Sequence, residues 1–371
     1  MGLNDYDNKA RPAKPLEQEK IKKSNMKKSY CFLVILILFL NQSFVNGTPR
    51  KEVNAVVEAI PNYIFHLFTL GGIVADDSEY IAMYGESISK EDRDYLFEHK
   101  NLLAWADGNT APLIHFFLFI PANFTSQNEF NEYFDFLDNT LKNNECKAFV
   151  QKYDSYLKKV NWMSDSVDMA EMELYLQSII QYTHEVEEIG KIFKNNFQTY
   201  YSNIWKTEKE KLEKTAQIIN GKLQKHDFIA HWEKLTGLAF KTEKFEIVLF
   251  SSNKNGPSAN SLSYDRDAFY YGLDTDDLLQ FICHEVGTHI LITSFVEIMQ
   301  MNRFEFQDIY SAYENTAEFY TAKHVLKKEP IIGYDVEKYY QILDKIYNLN
   351  PDITPTNLMI KGIETYNAQK K

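Results

Sequence analysis

Two histidines and a glutamate stand where the surrounding pattern asks for apolar side chains. His284-Glu285-Val286-Gly287-Thr288-His289 lies within the run 278–299, whose other members include Leu278, Leu279, Ile282, Ile290, Leu291, Ile292, Phe295, Val296 and Ile298. Such a run reads as a buried helix. Burying a carboxylate and two imidazoles is costly unless a metal ion or a hydrogen-bonded network compensates their lost hydration. Two histidines flanking a glutamate point first to a metal. A catalytic zinc ion takes three protein ligands and leaves a position for water, and a carboxylate beside it can serve as general base.

The spacing sets a condition on that chemistry. On an α-helix, residues four apart differ by about 40° around the axis, and residues five apart by about 140°. For His284 and His289 to grip one ion the helix must widen locally, as in a π-bulge. Gly287, between them, is the residue best able to relax. The sequence therefore predicts a widened turn at 286–288, and a regular helix with diverging imidazoles would sink the metal reading, in which His284 and His289 share one ion. The third ligand must come from elsewhere. Glu314 and Glu318 lie four apart on a helix predicted over 306–327, so one can bind the ion while the other hydrogen-bonds a ligand histidine. Tyr313 and Tyr320 flank them as candidates to stabilise an oxyanion. Arg266 is a candidate partner for a substrate carboxylate.

The elements that must position these residues follow a clear order. A strand is predicted at 245–250, a polar loop at 251–263 and a second, aromatic-rich strand at 262–271. Asp274 supplies an N-cap for the metal helix, with Asp276 and Asp277 in its first turn. Two further helices are predicted over 335–348 and 355–367. Upstream, 48–145 reads as several helices, broken at Gly71-Gly72 and Pro121, with Ser89 opening one of them. Residues 167–225 read as long amphipathic helices.

Strand, loop, strand, metal helix and a helix carrying Glu-x-x-x-Glu resemble the core of zincin metallopeptidases of the gluzincin type. His-Glu-Val-Gly-Thr-His is similar to the motif of the microtubule-associated tyrosine carboxypeptidase family and its uncharacterised bacterial relatives. That resemblance, over 245–325, implies Zn2+ held by His284, His289 and Glu314, Glu285 as the catalytic base, and Glu318 as the acidic group behind a ligand. The family's usual downstream segment is Gln/Glu-Glu-Gly-Leu-Ala; Tyr313-Glu314-Asn315-Thr316-Ala317 shares its glutamate and alanine. The fold expected is mainly α with a small β element (α+β): a helical domain over 48–237 and a zincin-like core over 238–371. The function expected is zinc-dependent hydrolysis of peptide bonds, the substrate lying extended along a strand edge at 245–251 or 262–271. The competing expectation is a helical binding protein with a structural or vestigial zinc site.

Other histidines read as structural. His226 and His231 repeat the five-residue spacing, but in a charged, exposed segment with aspartate for glutamate. His184 sits among acids, His66 and His115 among aromatics, and His324 reads as a surface residue.

Composition narrows the setting. A net charge of −12 over 371 residues leaves no basic footprint for nucleic acid, and the partner expected is a peptide or protein. Lys27-Lys28, the apolar block 30–40 and the small residues up to Gly47 have the order of a secretory signal peptide over 26–47. Residues 1–25 read as an extension that is disordered or not translated. Secretion or periplasmic export is expected, with membrane attachment through 30–45 if the segment is not cleaved. Cys31 falls in that leader; Cys146 and Cys283 remain, the latter as a packing residue of the buried helix. Asn123-Phe124-Thr125 matches a glycosylation sequon.

Overall fold

Strand β1 (Glu52–Val56) opens the described chain, in a stretch the sequence assigns to helix. The computed structural model describes residues 50–74, 77–104, 111–161, 168–254 and 259–370; the expected leader and the extension before it lie outside them. Val53 and Val56 favour extended backbone, and β1 pairs in parallel with β2 (Lys244–Phe250), Val53 opposite Phe245 and Val56 opposite Val248. A partner so distant along the chain leaves no local signal in β1.

Helices α1 (Ala59–Leu70), α2 (Ser78–Tyr84), α3 (Lys90–Glu98), α4 (Gln127–Asn143), α5 (Cys146–Lys152), α6 (Asp154–Val160), α7 (Met169–Ile179), α8 (Thr183–Tyr200), α9 (Lys206–Leu223) and α10 (Phe228–Thr236) separate the two strands. The predicted start at Ser89 is present, its side chain accepting from Asp92 N at 3.0 Å. After β2 come β3 (Ala259–Ser263), β4 (Arg266–Tyr270), α11 (Thr275–Gln300), α12 (Phe306–Phe319), a π-helical turn (Tyr320–Leu326), α13 (Val336–Leu349) and α14 (Pro355–Lys370). The protein is therefore mainly α with one small sheet.

Sheet order is β1-β2-β4-β3, parallel except for the antiparallel β3–β4 pair. The predicted second strand is thus the tail of β3 and the whole of β4, joined by a tight turn. The outer edge of β1 is closed by Asn220 of α9, whose amide accepts from Ala55 N at 2.8 Å and donates to Ala55 O at 2.9 Å. Helix α1 packs on the sheet through Phe65, stacked on Phe250 at 4.4 Å, and through Asn62, which bridges Leu249 O and Ser251 N.

These contacts cross the boundary expected near residue 237. Lys51–Lys371 form one compact unit rather than a scaffold and a separate core. The sequon residue Asn123 is also buried, its amide donating to Phe119 O at 2.7 Å, which leaves no accessible acceptor for a glycan. Cys146 and Cys283 are both buried and free.

Candidate metal centre

Helix α11 forms as its sequence dictates. Asp274 caps it, accepting from Asp276 N and Asp277 N, and Leu278, Ile282, Val286, Leu291 and Ile298 are fully buried. Its course corrects one expectation. The helix is regularly α from Thr275 to Gln300, with no widened turn at 286–288. Gly287 serves a neighbour instead: a Cβ there would stand 2.1 Å from Trp232 Cζ2. The Trp232 indole N–H donates to Cys283 O at 3.0 Å, so α10 packs directly on α11 at the glycine.

A regular helix sends the two imidazoles to different partners. His284 Nδ1 lies 3.3 Å from Glu318 Oε2, and its Nε2 lies 3.0 Å from Glu314 Oε2. Glu318, fully buried, is fixed by Gln280 Nε2 and Ile331 N, each donating to Oε1 at 2.7 Å. Burial opposes charge on His284, but hydrogen bonds to Glu314 and Glu318 outweigh it and carry its pKa up to about 10.

His289 faces the sheet. Its Nδ1 donates to Tyr264 O, since a carbonyl can only accept. Its Nε2 lies 3.3 Å from Ser261 Oγ, within hydrogen-bond reach, and 3.5 Å from Asp267 Oδ1. Ser261 and Asp267 are cross-strand partners in the β3–β4 register, which explains why both reach one ring. Burial again opposes charge on His289, and Asp267 raises its pKa against that.

Asp267 has no surface open to solvent, and neither carboxylate oxygen has a hydrogen-bond donor. An ionised carboxylate buried without donors is rare and costly. Among the described residues, Asp267, Glu285 and His289 form the one group of three whose ligand atoms all lie within 4.8 Å of one another. Glu285 is partly open to solvent and accepts from Thr288 Oγ1 at 3.1 Å. Burial, then the charge of Asp267, raises its pKa to about 8. The imidazole and carboxylate donors present suit a divalent cation, and its charge would answer the uncompensated oxygens of Asp267.

The predicted residues therefore separate into two clusters. His284 meets Glu314 and Glu318, while His289 and Glu285 meet Asp267; His284, His289 and Glu314 are not gathered around one point. Arg266 is no substrate contact. It is buried, ion-paired with Glu58 and with Glu246 at 3.3 Å, on the opposite face of β4 from Asp267. Tyr313 is spent on packing, its hydroxyl donating to Thr288 O at 2.6 Å. Tyr320 lies in the π-helical turn with its ring edge-on to Trp232 at 5.6 Å. The tyrosine that does reach a carboxylate is Tyr310, hydrogen-bonded to Glu314, its pKa pushed up by burial and then by that charge. It stands one helical turn before Glu314, a spacing that could have flagged it.

The other histidines keep structural surroundings. Asp227, in the decoy motif, caps α10 by accepting from Ala230 N at 3.2 Å, and His226 and His231 are exposed. His324 is half-buried among Phe319, Tyr320 and Tyr347 rather than on the surface. No known protein family, curated protein or solved structure matches the chain.

Proposed function

We propose that this chain is a divalent-cation-dependent peptidase, with zinc the ion its imidazole and carboxylate donors favour. The observation that carries the reading is the fully buried carboxylate of Asp267, with no hydrogen bond to either oxygen, 3.5 Å from His289 Nε2. A metal-free network accounts well for His284, whose protonated ring donates from Nδ1 to Glu318 and from Nε2 to Glu314. For Asp267 it offers only the 3.5 Å contact with His289 and no hydrogen bond to either oxygen. His289 Nε2 would hold the cation, and Asp267, with Glu285 beside it, is the further donor on hand. A cation there would polarise a carbonyl and acidify water.

The chain's own residues do the rest. Glu285 takes the attacking water's proton and delivers it to the leaving amine, a role that its place beside His289 and Asp267 supports. The Tyr310 hydroxyl, hydrogen-bonded to Glu314, is the candidate donor to a developing oxyanion. Substrate lies along β3, the terminal strand of the sheet, whose Ser261 neighbours His289. β2 and the inner strand β4 have both edges paired and offer none. The leader-like segment would route the enzyme out of the cytoplasm. Metal content after purification without added zinc, with cleavage of a mixed peptide library with and without chelator, tests the reading. Bound zinc and chelator-sensitive cleavage are expected; metal-free protein, or cleavage indifferent to chelator, would refute it.

A further inference from the structure

We propose that Asp267 is itself a ligand of the cation at His289, an assignment that rests on the metal-dependent reading above and adds a residue the motif does not contain. Two separations decide it. Zinc bonds of about 2.0–2.2 Å at a tetrahedral angle place neighbouring nitrogen and oxygen ligands about 3.4 Å apart. His289 Nε2 and Asp267 Oδ1 stand 3.5 Å apart, too far for a good hydrogen bond and right for an edge of that tetrahedron. His284 Nε2 and Glu314 Oε2, at 3.0 Å, have an ordinary hydrogen-bond length instead.

The surroundings of Asp267 agree. Residue 267 lies in β4, an inner strand, and its neighbours Ala268 and Phe269 are fully buried. Nothing donates to either oxygen, so the carboxylate has no structural hydrogen bond to keep. His289, by contrast, is anchored through Nδ1 to a backbone carbonyl, the arrangement that fixes a ligand imidazole, here with Nε2 turned toward Asp267. Ser261, opposite Asp267 in the register, adds a hydroxyl on the same side. Glu285 completes the group at a distance that suits a base serving the ion's water.

The test uses the full chain and zinc alone as the probe. Zinc affinity is measured by competition with a chromophoric chelator, with circular dichroism as the check on folding. Asp267→Asn is expected to weaken zinc by more than about 100-fold, beyond the 10–100-fold that losing an outer partner costs. A smaller loss in a folded variant would overturn the assignment. Asp267→Cys gives an independent arm: loaded with cobalt(II), it should show a thiolate-to-cobalt charge-transfer band that the wild type lacks. A folded, cobalt-loaded variant without that band would also overturn it. Wild-type protein that takes up no cation would instead sink the metal-dependent reading itself.

Discussion

Glu285 is the residue on which the proposed chemistry turns. Glu285→Gln keeps its volume, and Thr288 can still donate to the amide oxygen, so the variant should fold and retain its cation. Hydrolysis should fall by about 10²–10⁴, the usual worth of a positioned general base. Peptide kcat/KM with parallel metal analysis measures both, and unchanged hydrolysis would remove Glu285 from the mechanism. A second expectation concerns histidines outside the site. Burial holds His66 at a pKa of about 3 and His115 at about 4. Both titrate near 6.5 in the unfolded chain. Below that pH the unfolded state binds protons the folded state cannot, so stability is full above about 6.5 and is lost as pH falls towards the folded values. Melting temperatures between about pH 7 and 4 should fall, and His66→Gln should flatten the slope; an unchanged slope would mean His66 is protonated in place. Five site residues were legible because polar groups interrupt apolar helices there. Asp267 was not, since Arg266-Asp267 reads as an ordinary surface pair until strand alternation sends the two to opposite faces.

At the scale of elements, α11 separates what local sequence can say from what it cannot. Its length, cap and buried face follow from Asp274 and the apolar run, and the next helix with its two glutamates was equally plain. The role of Gly287 was not, because it lies in Trp232 of α10, which fills the space beside the glycine. Strand β1 was hidden for the same kind of reason: its partner lies far along the chain. The Gly287 contact makes a signed prediction. In an open helix, Gly→Ala stabilises by about 1 kcal/mol. Here the new methyl meets the indole at 2.1 Å, and the ring is held by its bond to Cys283 O and by Tyr320 packed against it. Overpacking a held ring costs about 1–3 kcal/mol or more, so the clash should win. Gly287→Ala should lower the denaturant midpoint with an unchanged m-value; a raised midpoint would show that Trp232 yields easily.

For the whole molecule, the question is whether the catalytic half could stand without the helices before it. The sequence suggests a boundary near residue 237, since long charged helices give way there to strands and loops. The packing argues otherwise. Residues 238–371 alone would leave β2 without β1, Phe250 without Phe65, and Leu249 O and Ser251 N without the Asn62 amide. Arg266, buried beside the proposed ligand Asp267, would keep Glu246 but lose Glu58 and Asn123. Losing one buried aromatic costs about 3–5 kcal/mol. Opening a buried ion pair adds a comparable amount, moderated here because both glutamates keep some solvent access. Two or three such losses reach the 5–15 kcal/mol by which a domain is stable at all. A chain of residues 238–371 should therefore be unfolded or aggregated and bind zinc weakly, whereas one of residues 48–371 should melt in a single cooperative transition. Circular dichroism and zinc titration of the two fragments check this. A cooperatively folded, zinc-binding 238–371 fragment would show that the helices only cover the sheet, and that β4 holds Asp267 in place without their help.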